Sequence, residues 1–61
     1  MQFRIVLKNG KFRYYYNAQQ IEADLSKQEL INSNISVLYH GVVVGTINSE
    51  VLADEIYNRR D

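Results

Sequence analysis

The chain contains no cysteine and no proline, a single histidine and only three glycines. Without cysteine, disulfides and thiolate metal sites are excluded, and one histidine does not build a zinc site with the ordinary ligands. Domains of this size often rely on such staples. Association between chains is therefore the available route to extra stability, since a single domain of about 60 residues buries only about 60% of its unfolded surface. Long hydrophobic runs are missing as well, so no membrane span is expected. Arg4, Lys8, Lys11 and Arg13 interrupt the apolar residues at the start, which does not suit a signal peptide. Absence of cysteine is compatible with the cytosol, and a soluble, cytoplasmic protein is the expectation. An excess of one charge is also lacking: seven Lys and Arg balance seven Asp and Glu. That balance argues against a protein that coats nucleic acid. Finally, the sequence has no phosphate-cradling glycine loop, nucleophile elbow or metal-ligand spacing. Neither a cofactor nor an enzymatic activity is expected.

What the sequence does have is strand-like apolar ribbon. The segment 35–47, ISVLYHGVVVGTI, is too apolar to leave in water on either side. Placed as a hairpin around His40-Gly41, it directs Leu38, Val43 and Ile47 to one face. Ile35, Val37, Tyr39, Val42, Val44 and Thr46 go to the other. Gly45 then lies opposite Ser36 and leaves a shallow place for a helix to fill.

An earlier hairpin is signalled by Asn9-Gly10 between two strand-like stretches. A two-residue loop pairs Leu7 with Phe12 and Ile5 with Tyr14, giving a core face of Phe3, Ile5, Leu7, Phe12, Tyr14 and Tyr16. The opposite, wet face is then Arg4, Val6, Lys8, Lys11, Arg13 and Tyr15.

Asn17 reads as a helix cap, with Ala18, Ile21, Leu25 and Gln28 on one stripe and Leu30 and Ile31 beside its far end. Ser26 to Glu29 fits a capping box at which this helix can break and restart. After the loop Asn32-Ser33-Asn34 and the second hairpin, Asn48-Ser49 caps a helix over 50–58 with Leu52, Ala53, Ile56 and Tyr57 inward. Glu55 and Arg59 form a favourable pair four apart.

Shifting the chain by 31 residues lays Val6 on Val37, Leu7 on Leu38, Gly10 on Gly41 and Asn17 on Asn48. The reading is a single domain, 1–61, with a pseudo-repeat of 3–31 and 34–60. Its fold class is α+β: two ββα units forming a four-stranded, mostly antiparallel sheet with two helices, preferably on one face. The halves differ where Arg4, Lys8, Lys11 and Arg13 are replaced by Ile35, Tyr39, Val42 and Val44.

Two surfaces are candidates for function. Ile35, Val37, Tyr39, Val42 and Val44 form an apolar patch of a kind rare on monomers, expected to meet a protein partner or a second copy of the chain. Arg4, Lys8, Lys11, Arg13 and Tyr15 form a basic-aromatic surface suited to nucleic acid or to an acidic protein. His40 at a hairpin tip is expected to accept positive φ rather than to act in catalysis. The helical acids Glu22, Asp24, Glu29, Glu50, Asp54 and Glu55 are expected to be a solvated face. The expected function is thus a small non-enzymatic protein-binding module, either a homodimer or a docked regulator or inhibitor of a larger protein. Such size and neutrality suit regulators carried by mobile elements. The alternative is a small nucleic-acid-binding protein that uses the first hairpin.

Overall fold

A computed structural model of the chain describes residues 1–58. The elements run β1 (Gln2–Val6), β2 (Phe12–Tyr15), α1 (Ala18–Asp24), α2 (Lys27–Ile31), β3 (Asn34–Tyr39), β4 (Val42–Ile47) and α3 (Ser49–Tyr57). All four strands join one sheet in the order β2-β1-β3-β4, with every neighbouring pair antiparallel. The class is α+β, as expected, with two ββα-like units side by side and their first strands, β1 and β3, meeting in the middle. The expected pair of Glu55 with Arg59, and the end of the second unit at residue 60, lie outside the described residues.

Three caps set the helices. Asn17 Oδ1 accepts from the Gln20 backbone N–H at 2.9 Å and opens α1. At Leu25 the backbone returns to an extended conformation, and a complete capping box then opens α2. Ser26 Oγ accepts from the Glu29 N–H at 3.1 Å, while Glu29 Oε1 accepts from the Ser26 N–H at 2.9 Å. Each half of the box satisfies one donor that the first turn cannot pair internally. The break resets the helical phase. Gln28, placed by the unbroken stripe on the inward side, is exposed, and Leu30 is fully buried. Asn48 caps α3 by accepting from the Val51 N–H at 3.1 Å.

α2 and α3 run antiparallel and are tied at both ends. Ser49 Oγ donates to the Ile31 carbonyl at 2.8 Å, and Lys27 Nζ donates to Asn58 Oδ1 at 2.9 Å. The Tyr57 hydroxyl donates to the carbonyl of Leu25, at the end of α1. One continuous core joins Ile5, Tyr15 and Ile35 of the sheet to Ile21, Leu25, Leu30, Ala53 and Ile56 of the helices. The helices therefore cover one face of the sheet, and the other face is open.

Strand register departs from the expectation in both hairpins. In the first, Phe3 pairs with Tyr15, Arg4 with Tyr14, Ile5 with Arg13 and Val6 with Phe12, one residue away from the two-residue-loop register. The reason lies in the turn. Only Gly10 there has positive φ, at 88°, whereas the two-residue turn needs it at Asn9 too. Asn9 instead accepts from the Lys11 N–H through Oδ1 at 3.0 Å, and the Leu7 N–H donates to the Lys11 carbonyl at 2.8 Å. A three-residue loop, Lys8 to Gly10, results. Because side chains alternate with period two, this slip moves all of β2 to the other face. Tyr15 is 4% exposed in the core, while Phe12 and Tyr14, expected inside, are 54% and 50% exposed.

In the second hairpin the turn forms as expected, with φ of 51° at His40 and 79° at Gly41. Tyr39 pairs with Val42 and Leu38 with Val43, but a bulge follows, and Gly45 pairs with Val37 instead of Ser36. Ile35 and Ile47 consequently face the helices together. Leu38, expected in the core, is buried on the open face and belongs to no part of the helix-covered cluster. Nothing fills the place at Gly45, where an added Cβ meets no atom within 4 Å.

The two glycines should therefore respond oppositely to alanine. Gly10→Ala forces a side chain into the left-handed region and should cost about 1–2 kcal/mol, whereas Gly45→Ala should stay within about 0.5 kcal/mol of the parent. Urea unfolding curves measure both, and equal midpoints for the two variants would contradict this turn geometry.

Candidate functional site

The residues expected to form the apolar interface are divided by the fold. Ile35 is buried in the core and Val37 is half-buried. Tyr39, Val42 and Val44 remain exposed, and Val43 joins them from the open face. Their exposures run from 45% for Val43 to 63% for Val42. This end of the β3–β4 hairpin extends beyond the cover of the helices. The Tyr39 ring meets His40 edge-on, with centroids 4.2 Å apart. No residue of β4 is charged, and β4 is an edge strand. Edge strands are commonly protected by Lys, Pro or a bulge. Here only the bulge after Val43 is present.

The basic-aromatic group is divided too. Arg4 stands on the open face, paired with Tyr14 on one side and Ser36 on the other. Its guanidinium carbon lies 5.6 Å from the centroid of the Phe12 ring, within reach of a cation–π attraction. Among the described residues Arg4 Nε is buried without a hydrogen-bond partner. Lys8 and Lys11 are exposed at the first turn. Arg13 shares the helix-side register of Ile5, close enough to Glu29 to help hold its carboxyl below the usual range after the two Ser26 hydrogen bonds.

Tyr15 leaves that surface altogether. Its hydroxyl donates to Asp24 Oδ2 at 3.1 Å under α1. Burial first, then this hydrogen bond and the charge of Asp24, push its pKa up to about 12. Burial likewise raises the Tyr57 phenol.

The slip that buries Tyr15 creates a surface that the two-residue-loop register hides. Phe12 and Tyr14 project from the open face of β2. Tyr16, 68% exposed, lies two residues on and borders the same hollow as Gln2 and Leu38. The strand FRYYY carries aromatic residues in both phases, so alternation alone does not choose between them. The usable signal is that Asn9 need not adopt positive φ when Gly10 alone can close a longer loop.

All six helical acids are exposed, and three of them are occupied locally. Asp24 accepts from Tyr15, Glu29 completes a cap, and Asp54 accepts from Asn58 at 3.0 Å and lies 3.5 Å from Lys27 Nζ. Among the described residues no group of three or more His, Asp or Glu side chains gathers to hold a metal ion. Among the described residues no helix is long and apolar enough to cross a membrane. Comparisons with protein-family models, with curated proteins and with solved structures give no match to this chain.

The Tyr15–Asp24 contact has a pH signature. Folded Tyr15 keeps its proton to about pH 12, while the unfolded residue loses it near pH 10. The folded state thus holds more protons across that interval, and stability is full below about pH 10 and falls as pH rises toward 12. Thermal melts from pH 8 to 12 should show this decline, and Tyr15→Phe should flatten it. An equally steep decline in that variant would remove Tyr15 as the cause.

Proposed function

We propose that this protein is a small non-enzymatic binding module that works as a homodimer through the exposed end of its second hairpin. One observation carries the reading: Tyr39, Val42, Val43 and Val44 are contiguous, apolar and exposed. A second copy is favoured as the occupant because this surface has no charge. Any surface with a net charge repels its own copy across a two-fold axis, whereas valine against valine does not. The opposite edge strand, β2, carries Arg13 beside Lys11 and is poorly suited to self-pairing. Because the bulge bends β4, side-chain packing around Val42 to Val44 contributes more to the contact than a long backbone ladder. A regulator or inhibitor docked on a larger protein would use the same residues, but that partner need not be symmetric.

Sedimentation equilibrium at micromolar concentration tests the reading. The wild type should have about twice the chain mass of 7.1 kDa. Val42→Lys combined with Val44→Lys should be a monomer with an unchanged far-ultraviolet spectrum, since both positions are already exposed. A wild type that stays monomeric at about 100 µM, where any association stronger than about 5.5 kcal/mol shows, overturns the homodimer.

A further inference from the structure

We propose that the open face of the sheet, on the β2 side, binds single-stranded nucleic acid by stacking bases on Phe12, Tyr14 and Tyr16 beside Arg4. This rests on different residues from the homodimer contact and stands without it. Phe12 and Tyr14 are alternate residues of one strand, so their side chains share a face about 6.8 Å apart. Tyr16 continues the row beyond the strand end, beside Gln2 and Leu38. All three rings are at least half exposed. Rings spaced along an extended strand can each take one base of an unpaired, extended chain, and stacking tolerates any sequence because every base has a π-face.

Charge selects this ligand over a protein surface. Among the described residues every acid lies on a helix: Glu22, Asp24, Glu29, Glu50, Asp54 and Glu55 belong to α1, α2 and α3. The strands and their turns hold only cations, namely Arg4, Lys8, Lys11 and Arg13. Arg4 sits in the row of rings, with its Nε buried and unpartnered among the described residues while its guanidinium carbon lies over Phe12. A phosphate oxygen near the guanidinium would supply a charge-assisted acceptor. Lys8 is exposed at the turn that ends the row, whereas Lys11 pairs with Leu7 in the helix-side phase and stands off the row. Arg13 is turned toward Glu29 and counts for less. An aliphatic protein ligand would use the rings but leave this one-sided charge without a purpose.

Duplex DNA fits poorly. Stacking needs bases out of the helix, and two cations give little purchase on a duplex backbone. The net charge of zero limits long-range attraction, so binding depends on the rings. β2 and β4 lie at opposite edges, about 14 Å apart at three strand spacings. A dimer joined through β4 would leave both rows of rings free.

The experiment is a fluorescence-anisotropy titration of labelled oligo(dT) and oligo(rU) of about ten nucleotides, alongside a duplex of equal length, over a salt series. Quenching of tyrosine fluorescence is read in parallel. Single strands should bind in the micromolar range at about 50 mM salt, at least tenfold more tightly than duplex. The slope of log affinity against log salt should be about −1.4 for two phosphate contacts. Phe12→Ala with Tyr14→Ala should weaken binding at least tenfold, because each stacked base contributes about 1–3 kcal/mol, and should leave the unfolding curve nearly unchanged. Lys8→Glu should weaken it severalfold and flatten the salt slope. Absence of oligonucleotide binding at about 100 µM protein overturns the proposal, as it would if the face served a protein instead. So does equal affinity for duplex, or a double variant that binds like the wild type while remaining folded.

Discussion

Much of this molecule depends on the loop that closes the first hairpin. Leu7 and Lys11 are joined by a backbone hydrogen bond across Lys8, Asn9 and Gly10, and that contact fixes the phase of every later side chain on β2. Under this phase Tyr15 enters the core, where its hydroxyl reaches Asp24 and joins the edge strand to α1. Under the other phase Phe12, Tyr14 and Tyr16 would be inside and the hydroxyls of two tyrosines would need buried partners, which are costly to leave unmade. A single phenol with a carboxylate beside it is the easier group to satisfy.

With Tyr15 inward, the helical layer closes over a short stretch of sheet. α1 and α2 are brief, five to seven residues each, and neither would be stable alone. They hold because capping at Asn17 and Ser26 pairs their first donors and because Ile21, Leu25 and Leu30 enter one core with Ile56. α3 then spans the pair, tied through Ser49 to Ile31 and through Tyr57 to Leu25. This layer reaches Ile35 and Ile47 but not the tip of the second hairpin. Exposure of Tyr39 and Val42 is thus a consequence of strand length exceeding helix cover, while Val43 lies on the face without helices.

The helices were legible in the sequence because capping chemistry is local: Asn17, the Ser26–Glu29 box and Asn48 each act through backbone groups within three residues. A four-stranded, mostly antiparallel sheet followed from two hairpin signals and the similarity of the halves, whereas the order β2-β1-β3-β4 came only with the structure. Face assignment was not legible, since it turns on single-residue events that composition does not encode. One such event is the glycine that alone carries positive φ at residue 10. The other is the extra residue between Val43 and Gly45. The first turned Tyr15 inward and brought Phe12 and Tyr14 out, and the second set Ile47 opposite Ile35, whose inward face comes from its pairing with Ile5 on β1. The hydrophobic excess of the second hairpin was visible at once, yet its exposed part is the tip and not one whole face.

Neutral net charge conceals a separation that the fold makes spatial. Acids line the helices, cations line the first hairpin, and the second hairpin has neither. Such a molecule offers three kinds of surface to its surroundings. An uncharged β-branched edge tolerates an identical edge, because no like charges oppose one another. A cationic, aromatic sheet face repels its own copy and attracts polyanions with π-faces. The acidic helical face also repels an approaching anion, so a single strand drawn to this molecule is oriented toward the sheet. The proposed self-association and ligand binding would then be kept apart by charge as well as by distance, since the uncharged edge is β4 and the row of rings lies across the sheet from it.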